Sequence, residues 1–209
     1  MPPTHLLWPF LLATLIFAAI PGPAILYTAV QTLARGRRAG LMTALGIHLG
    51  GYAYVAATAF GLSALLHYVP TLYLTMKLAG AAYLIWLGIG MLLRPKDSRD
   101  PPRAANESAR RAFFQSTTVE LLNPKTTLFF VAFLPQFVDP AAALPVAVQF
   151  LILGTIVNLA FSAADLITVL LAATIMDKLR HHARGQRVVR IAGGSILIGL
   201  GTRLAISRT

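Results

Sequence analysis

The stretch Leu15-Ile16-Phe17-Ala18-Ala19-Ile20-Pro21-Gly22-Pro23-Ala24-Ile25-Leu26 is apolar enough to lie inside a membrane, yet proline interrupts it. A second apolar segment carries the same interruption: Glu120-Leu121-Leu122-Asn123-Pro124-Lys125-Thr126-Thr127-Leu128-Phe129-Phe130. Proline has no N–H and clashes with the preceding turn, so each break releases backbone groups that lipid cannot hydrogen-bond. Such groups persist only against protein or a watery cavity. Paired breaks in corresponding places therefore point to the binding site of a transporter.

Each break has the residues to restart a helix. Gly22 allows the chain to turn and Pro23 suits the first helical position, where a missing N–H costs nothing. Asn123 is a favoured N-cap, again followed by proline. Two helix N-termini are then expected inside the membrane, each offering N–H groups and partial positive charge to a carboxylate, with Lys125 adding a full charge. Pro21, Gly22, Pro23, Asn123, Pro124 and Lys125 are the expected substrate-binding set. The competing reading is that these prolines only kink transmembrane helices.

The rest of the sequence is that of an all-α integral membrane protein. Of its 209 residues 56% are hydrophobic and only 12% charged, about half the usual charged share of a soluble domain. The net charge of +11 does not mark a nucleic-acid groove. Of the 18 Lys and Arg, all except Lys77, Lys125, Arg203 and Arg208 fall in three clusters between apolar segments: Arg35 to Arg38, Arg94 to Arg111, and Lys178 to Arg190. Basic links alternating with links that hold no Lys or Arg follow the positive-inside rule. No cysteine is present, which excludes thiolate chemistry and disulfides. The first apolar segment lacks a basic leader region and is expected to remain as a membrane span.

Six transmembrane helices of about 20 residues or more are predicted, over 6–33, 40–67, 71–93, 112–137, 145–176 and 187–206. Basic clusters after the first, third and fifth put both termini outside the cytoplasm. Residues 95–111, with Pro101-Pro102 and mixed charges, read as a flexible basic cytoplasmic linker between halves at 1–94 and 112–209. An odd number of helices per half makes the two halves inverted relative to each other. Pro23 and Pro124 stand close to half the chain length apart, so the breaks fall in helices one and four.

Ionisable groups within the spans are Glu120, Asp165, His48 and Lys77. Such groups are costly in lipid and are functional candidates by default. Thr155, Asn158, Ser162 and Asp165 recur at helical spacing and form a polar stripe that should face a bundle interior. Asp165, Glu120 and His48 are the candidates for proton coupling, and Glu120 and Asn158 are further substrate-binding candidates. Plain interhelical hydrogen bonding is the alternative for the stripe. Glu120 has three readings: partner of Lys125, partner of a substrate ammonium, or an idle interfacial residue. His48 shares a face with Gly51 and Tyr52, and a lone buried histidine is more often a hydrogen-bonded core residue than a proton carrier. Gly46, Gly50, Ala53 and Ala57 mark an opposite small-residue packing face. Lys77 lies near a span end, where a snorkelling lysine suffices, and His181-His182 sits in a basic loop. Hydrolase, P-loop, dinucleotide and zinc-protease signatures are absent, so neither metal nor cofactor is expected.

In these residues the chain resembles the LysE/RhtB family of amino-acid exporters. The resemblance is carried by Ile20-Pro21-Gly22-Pro23, Gly36-Arg37-Arg38-Ala39-Gly40, Gly61-Leu62, Lys77 to Leu84 with Leu87-Gly88, Leu122-Asn123-Pro124-Lys125, and Phe129-Phe130 with Leu134 to Val138. It runs in order over nearly the whole chain. It implies a carrier of the cytoplasmic membrane that exports amino acids or their derivatives against protons, with no nucleic-acid partner; a homo-oligomer is compatible with it. The chain departs from the family pattern at Ala24, where a polar residue is frequent, at the acid Glu120, where a neutral polar residue is frequent, and at His48, three positions before the Gly51 region where the family tends to be polar. These departures surround the expected site, so the resemblance does not carry the substrate's identity. An intramembrane acid–base enzyme built on Glu120, Asp165 and His48, and a passive channel, are the rival readings.

Overall fold

The structure is a computed structural model that describes residues 4–61, 70–93, 102–179 and 183–206. Every regular element among them is helical. Helix α1 spans Thr4–Ala19, α2 Pro23–Arg35, α3 Arg37–Ala59, α4 Pro70–Leu92 and α5 Pro102–Leu121. Then come the short α6 at Pro124–Leu128, a π-helical turn at Phe129–Phe133, a 3-10 turn at Leu134–Phe137, α7 at Val146–Leu179 and α8 at Ala183–Ile206. Helix α7 is long and apolar enough over Val146–Thr174 to cross a bilayer alone. Only 28% of its most apolar window is buried, which distinguishes it from the core helix of a soluble protein. The α1–α2 pair passes the same test jointly, bent by 43° at the break, and Leu78–Leu92 and Ile191–Ile206 are shorter apolar helices.

Polarity is turned inside out relative to a soluble fold. Trp8, Leu12 and Leu15 on α1, Leu45 and Leu49 on α3, Trp86 on α4, and Leu159, Ile167 and Leu171 on α7 are exposed, while Glu120, Asn123, Gln149, Asn158 and Asp165 are buried. A bundle whose outer surface is solvated by hydrocarbon has this distribution.

The helix connections depart from the expected ones. The first basic cluster is not a loop: Arg35 ends α2, Arg37 begins α3, and Gly36 alone makes the turn. Gly36 adopts φ 89°, a left-handed conformation that favours glycine. Residues 102–111, expected as flexible linker, are the first turns of α5. Pro102 stands at the helix start, and Ala104, Ala105, Glu107, Ala109, Arg110 and Arg111 are good helix formers behind it. Likewise α8 begins at Ala183 and takes up Arg184, Arg187 and Arg190. The expected link near 62–69, the residues 94–101, His181-His182, Arg208 and the side chain of Lys77 lie outside the described residues.

Helix α3 packs on α5 and α7, α4 on α8, and α2 on α3, α7 and α8. The α3–α5 contact depends on Gly46: an added Cβ there would lie 2.4 Å from the Phe113 carbonyl oxygen and 2.1 Å from Ser116 Oγ. Thr117 Oγ1 donates across the same interface to the Gly46 carbonyl at 3.1 Å. Gly50 lies against Glu120 in the same way, but Ala53, expected on this face, is exposed. Gly46→Ala should force the two backbones apart at a cost of about 1–3 kcal/mol. A lower thermal midpoint of the detergent-purified protein checks this, and an unchanged midpoint would mean that α3 and α5 are not packed this closely.

Candidate functional site

At the first break α1 ends at Ala19, and Gly22 lies extended (φ −119°, ψ −173°) as the N-cap of α2, with no side-chain cap. Neither Pro21 nor Pro23 has an N–H to offer the last carbonyls of α1. Just beyond α1, the carbonyl of Ile20 receives the Lys125 ammonium at 2.5 Å. The cation of the second break thus answers an acceptor freed by the first. Gly22 is needed for this reach, since a Cβ on it would stand 2.7 Å from Lys125 Cδ. The ammonium also lies 5.2 Å from the Phe161 ring centroid and 6.0 Å from that of Phe17, positions that suit a cation over aromatic faces.

The second break is built as its sequence predicts. Asn123 is the N-cap of α6, with its Oδ1 accepting from the Lys125 backbone N–H at 3.1 Å and Pro124 at the first helical position. Its amide Nδ2 donates to Glu120 Oε2 at 2.9 Å, and Thr126 Oγ1 donates to Glu120 Oε1 at 2.8 Å. Two donors on two oxygens match an ionised carboxylate. Glu120 is 3% exposed, buried within the bundle, and the Lys125 ammonium is directed at Ile20 rather than at it. Tyr54 of α3 braces the break from behind. Its hydroxyl donates to the Leu121 carbonyl at 2.7 Å and meets Thr127 Oγ1 at the same distance.

The two breaks face one cavity of about 20 Å³, large enough for roughly one water. Gly22, Ala24 and Ile25 from the start of α2, Glu120, Asn123, Lys125 and Thr126 from the second break, and Asp165 from α7 line it, with Ala18, Ile47 and Phe161 as apolar walls. Asp165 is 2% exposed, lies beside Thr28 of α2, and keeps its Oδ1 without a hydrogen-bond partner. One cation and two carboxylates therefore meet at two helix breaks in an otherwise apolar bundle.

Beyond the cavity lies an aromatic layer. Phe17 packs edge-on against Phe129 at 5.0 Å, Phe129 against Phe161 at 5.5 Å and Phe133 at 4.9 Å, and Phe133 against Phe137 at 5.1 Å. The π-helical turn at Phe129–Phe133 supplies two of these rings; such turns are frequent at functional sites.

The structure brings together Gly22, Asn123, Lys125, Glu120 and Asp165 at this cavity, with Pro21, Pro23 and Pro124 forming the breaks. It does not bring His48 or Asn158 there. Those two meet Ser162 between α3 and α7: His48 Nδ1 lies 2.5 Å from Ser162 Oγ, and Asn158 Nδ2 donates to the His48 carbonyl at 3.1 Å. Ser162 Oγ donates back to the Asn158 carbonyl at 2.7 Å. Asn158 also abuts Gly51 so closely that a Cβ there would lie 2.0 Å from Oδ1. This cluster has the form of an interhelical clasp. Sequence reasoning missed Thr126, Phe161, Phe17 and Tyr54. Of these only Thr126 had a local signal, a hydroxyl two residues past the break-forming proline.

Comparison with known proteins relates the chain to membrane translocators. The sequence pattern of the LysE type translocators matches residues 15–208. The chain is 32% identical over 209 residues to an uncharacterized membrane protein of Pseudomonas aeruginosa, covering 95% of this chain and 94% of that one. It is 26% identical over 197 residues to a leucine efflux protein of Klebsiella pneumoniae (94% and 92% covered). With a leucine efflux protein of Salmonella choleraesuis it shares 27% identity over 201 residues (95% and 93% covered). No solved structure matches the chain.

Proposed function

This chain belongs to the LysE type translocator family, a membrane transporter and not an enzyme, and from that premise we propose that it exports amino acids by proton antiport. The observation that carries the reading is the meeting of Lys125, Glu120, Asp165 and the start of α2 at one cavity between two helix breaks. In this reading the substrate carboxylate meets Lys125 and the uncapped N-terminal turn of α2, where N–H groups and partial positive charge converge. Glu120, held by Asn123 and Thr126, answers the substrate ammonium, and Asp165 carries the exchanged proton. The apolar walls Ala18, Ile25, Ile47 and Phe161 favour an apolar side chain, in keeping with the leucine efflux relatives.

The proposed arrangement is six transmembrane helices in two inverted halves in the cytoplasmic membrane, with both termini outside the cytoplasm. Four helix pairings support it. A two-fold exchange of halves maps the α4–α8 and α3–α7 contacts onto themselves and the α3–α5 contact onto that between α1 and α7, and all four are present. The arginines at the α2–α3 turn and early in α5 then face the cytoplasm. With a cavity of about 20 Å³, the structure is a closed form, and rocking of the halves must open it.

The test is efflux from cells preloaded with a panel of amino acids as dipeptides, with and without a protonophore. Faster efflux of an apolar amino acid that collapses with the protonophore is the expected result. Efflux indifferent to the protonophore would remove proton antiport, and efflux of no amino acid would remove the substrate class.

A further inference from the structure

A second cavity, of about 120 Å³, lies at the arginine-bearing end of the bundle, lined by Tyr27, Gln31 and Arg35 of α2, Arg111 and Gln115 of α5, and Trp86 of α4. The first cavity uses Ala24 of α2 and Glu120 of α5. At 1.5 Å per residue, Tyr27 and Gln115 stand only about 5–8 Å further along the same two helices. The cavities are therefore stacked, one above the other, along the α2–α5 seam.

Three features fit the second cavity to a particular ligand chemistry. Arg35 and Arg111 come from different helices to one hollow, and convergent guanidinium groups suit a carboxylate or a phosphate. The opposite wall is apolar, with Trp86, Leu87 and Leu197. Its floor is a buried polar chain in which Gln31 Nε2 donates to the Tyr27 hydroxyl at 2.5 Å and that hydroxyl donates to Gln115 Oε1 at 3.2 Å. Tyr27 is fully buried and Gln31 is 4% exposed. Tyr27 is packed in one apolar cluster with Val30, Leu84, Val119 and Leu197.

We propose that this hollow is a loading site that captures the carboxylate of the outgoing amino acid at Arg35 and Arg111, with the Tyr27–Gln31–Gln115 chain as the gate to the central site. The proposal rests on the export reading above. An anionic lipid headgroup offers the same chemistry to two arginines, so the test has to separate the two sources.

Sidedness separates them. Counterflow of labelled leucine is measured in inside-out and right-side-out vesicles for the wild type, Arg111→Glu, and Arg110→Glu as a charge-matched control. Arg110 does not line the hollow and lies 5.7 Å from the Phe114 ring. Arg111 is exposed, so its substitution leaves the core untouched, and Arg111→Gln serves if the glutamate variant is poorly inserted. The expected result is a KM about tenfold or more higher at the cytoplasmic face only, with the maximal rate and the other face as in wild type, and with Arg110→Glu unchanged on both faces. An unchanged KM, or one raised equally on both faces, overturns the loading site. A response to the phosphatidylglycerol content of the vesicles that Arg111→Glu abolishes, without a sided KM shift, assigns the arginines to lipid and overturns it too. Absence of leucine counterflow in the wild type overturns the export of leucine itself, and the loading site with it.

Discussion

Lys125→Ala is expected to abolish export while the protein stays in the membrane. The ammonium has two places in the structure: it closes the carbonyl of Ile20 across the two breaks, and it is the one cation among the described residues that lines the central cavity. Losing a charge-assisted hydrogen bond to a substrate carboxylate costs about 1.5–3 kcal/mol, or about one to two orders of magnitude in binding. Loss of the Ile20 contact adds to this by loosening the join between the breaks. Lys125→Arg is the informative companion. Its planar fork needs more room than the space beside Gly22, where the lysine stem already meets the glycine backbone, so restored charge should not restore transport. The measurement is efflux normalised to membrane protein, with size-exclusion profiles to verify folding. Wild-type efflux in Lys125→Ala would remove the residue from the site.

The two breaks were legible because they follow local rules: a proline at the first helical turn and an asparagine cap act within a few residues of themselves, and both restarts fall where those rules place them. What the breaks do to each other was not legible. Lys125 reaches Ile20, 105 positions away in sequence, and Gly22, readable as a turn residue, also makes the space for that lysine. The polar stripe of α7 shows a different limit. Periodicity assigns Asn158 and Asp165 to one face, but they stand about 10 Å apart along the helix, and so one meets His48 while the other meets the cavity. A helical pattern gives the face and not the depth. The misread stretch 102–111 failed for a compositional reason, because charged, alanine-rich sequence with prolines reads as linker until the proline is recognised as a helix start.

The two carboxylates differ in a way that divides their roles. Glu120 has both oxygens occupied by donors from Asn123 and Thr126, so protonating it would disrupt the cap of the second break. Asp165, equally buried, lines the cavity and keeps Oδ1 without a hydrogen-bond partner, so a proton can be gained or lost there without breaking a bond within the protein. Asp165→Asn should therefore separate exchange from coupling. For a one-proton antiporter the steady-state substrate gradient shifts about tenfold per unit of imposed pH difference. In the variant that dependence should vanish while leucine counterflow, which moves no net proton, continues. Proteoliposomes with an imposed pH gradient, read with labelled leucine and a pH-sensitive dye, measure both quantities in one sample. A variant that keeps the wild-type pH response would reduce Asp165 to packing against Thr28. One that loses counterflow as well would place the carboxylate in substrate binding rather than in the proton step.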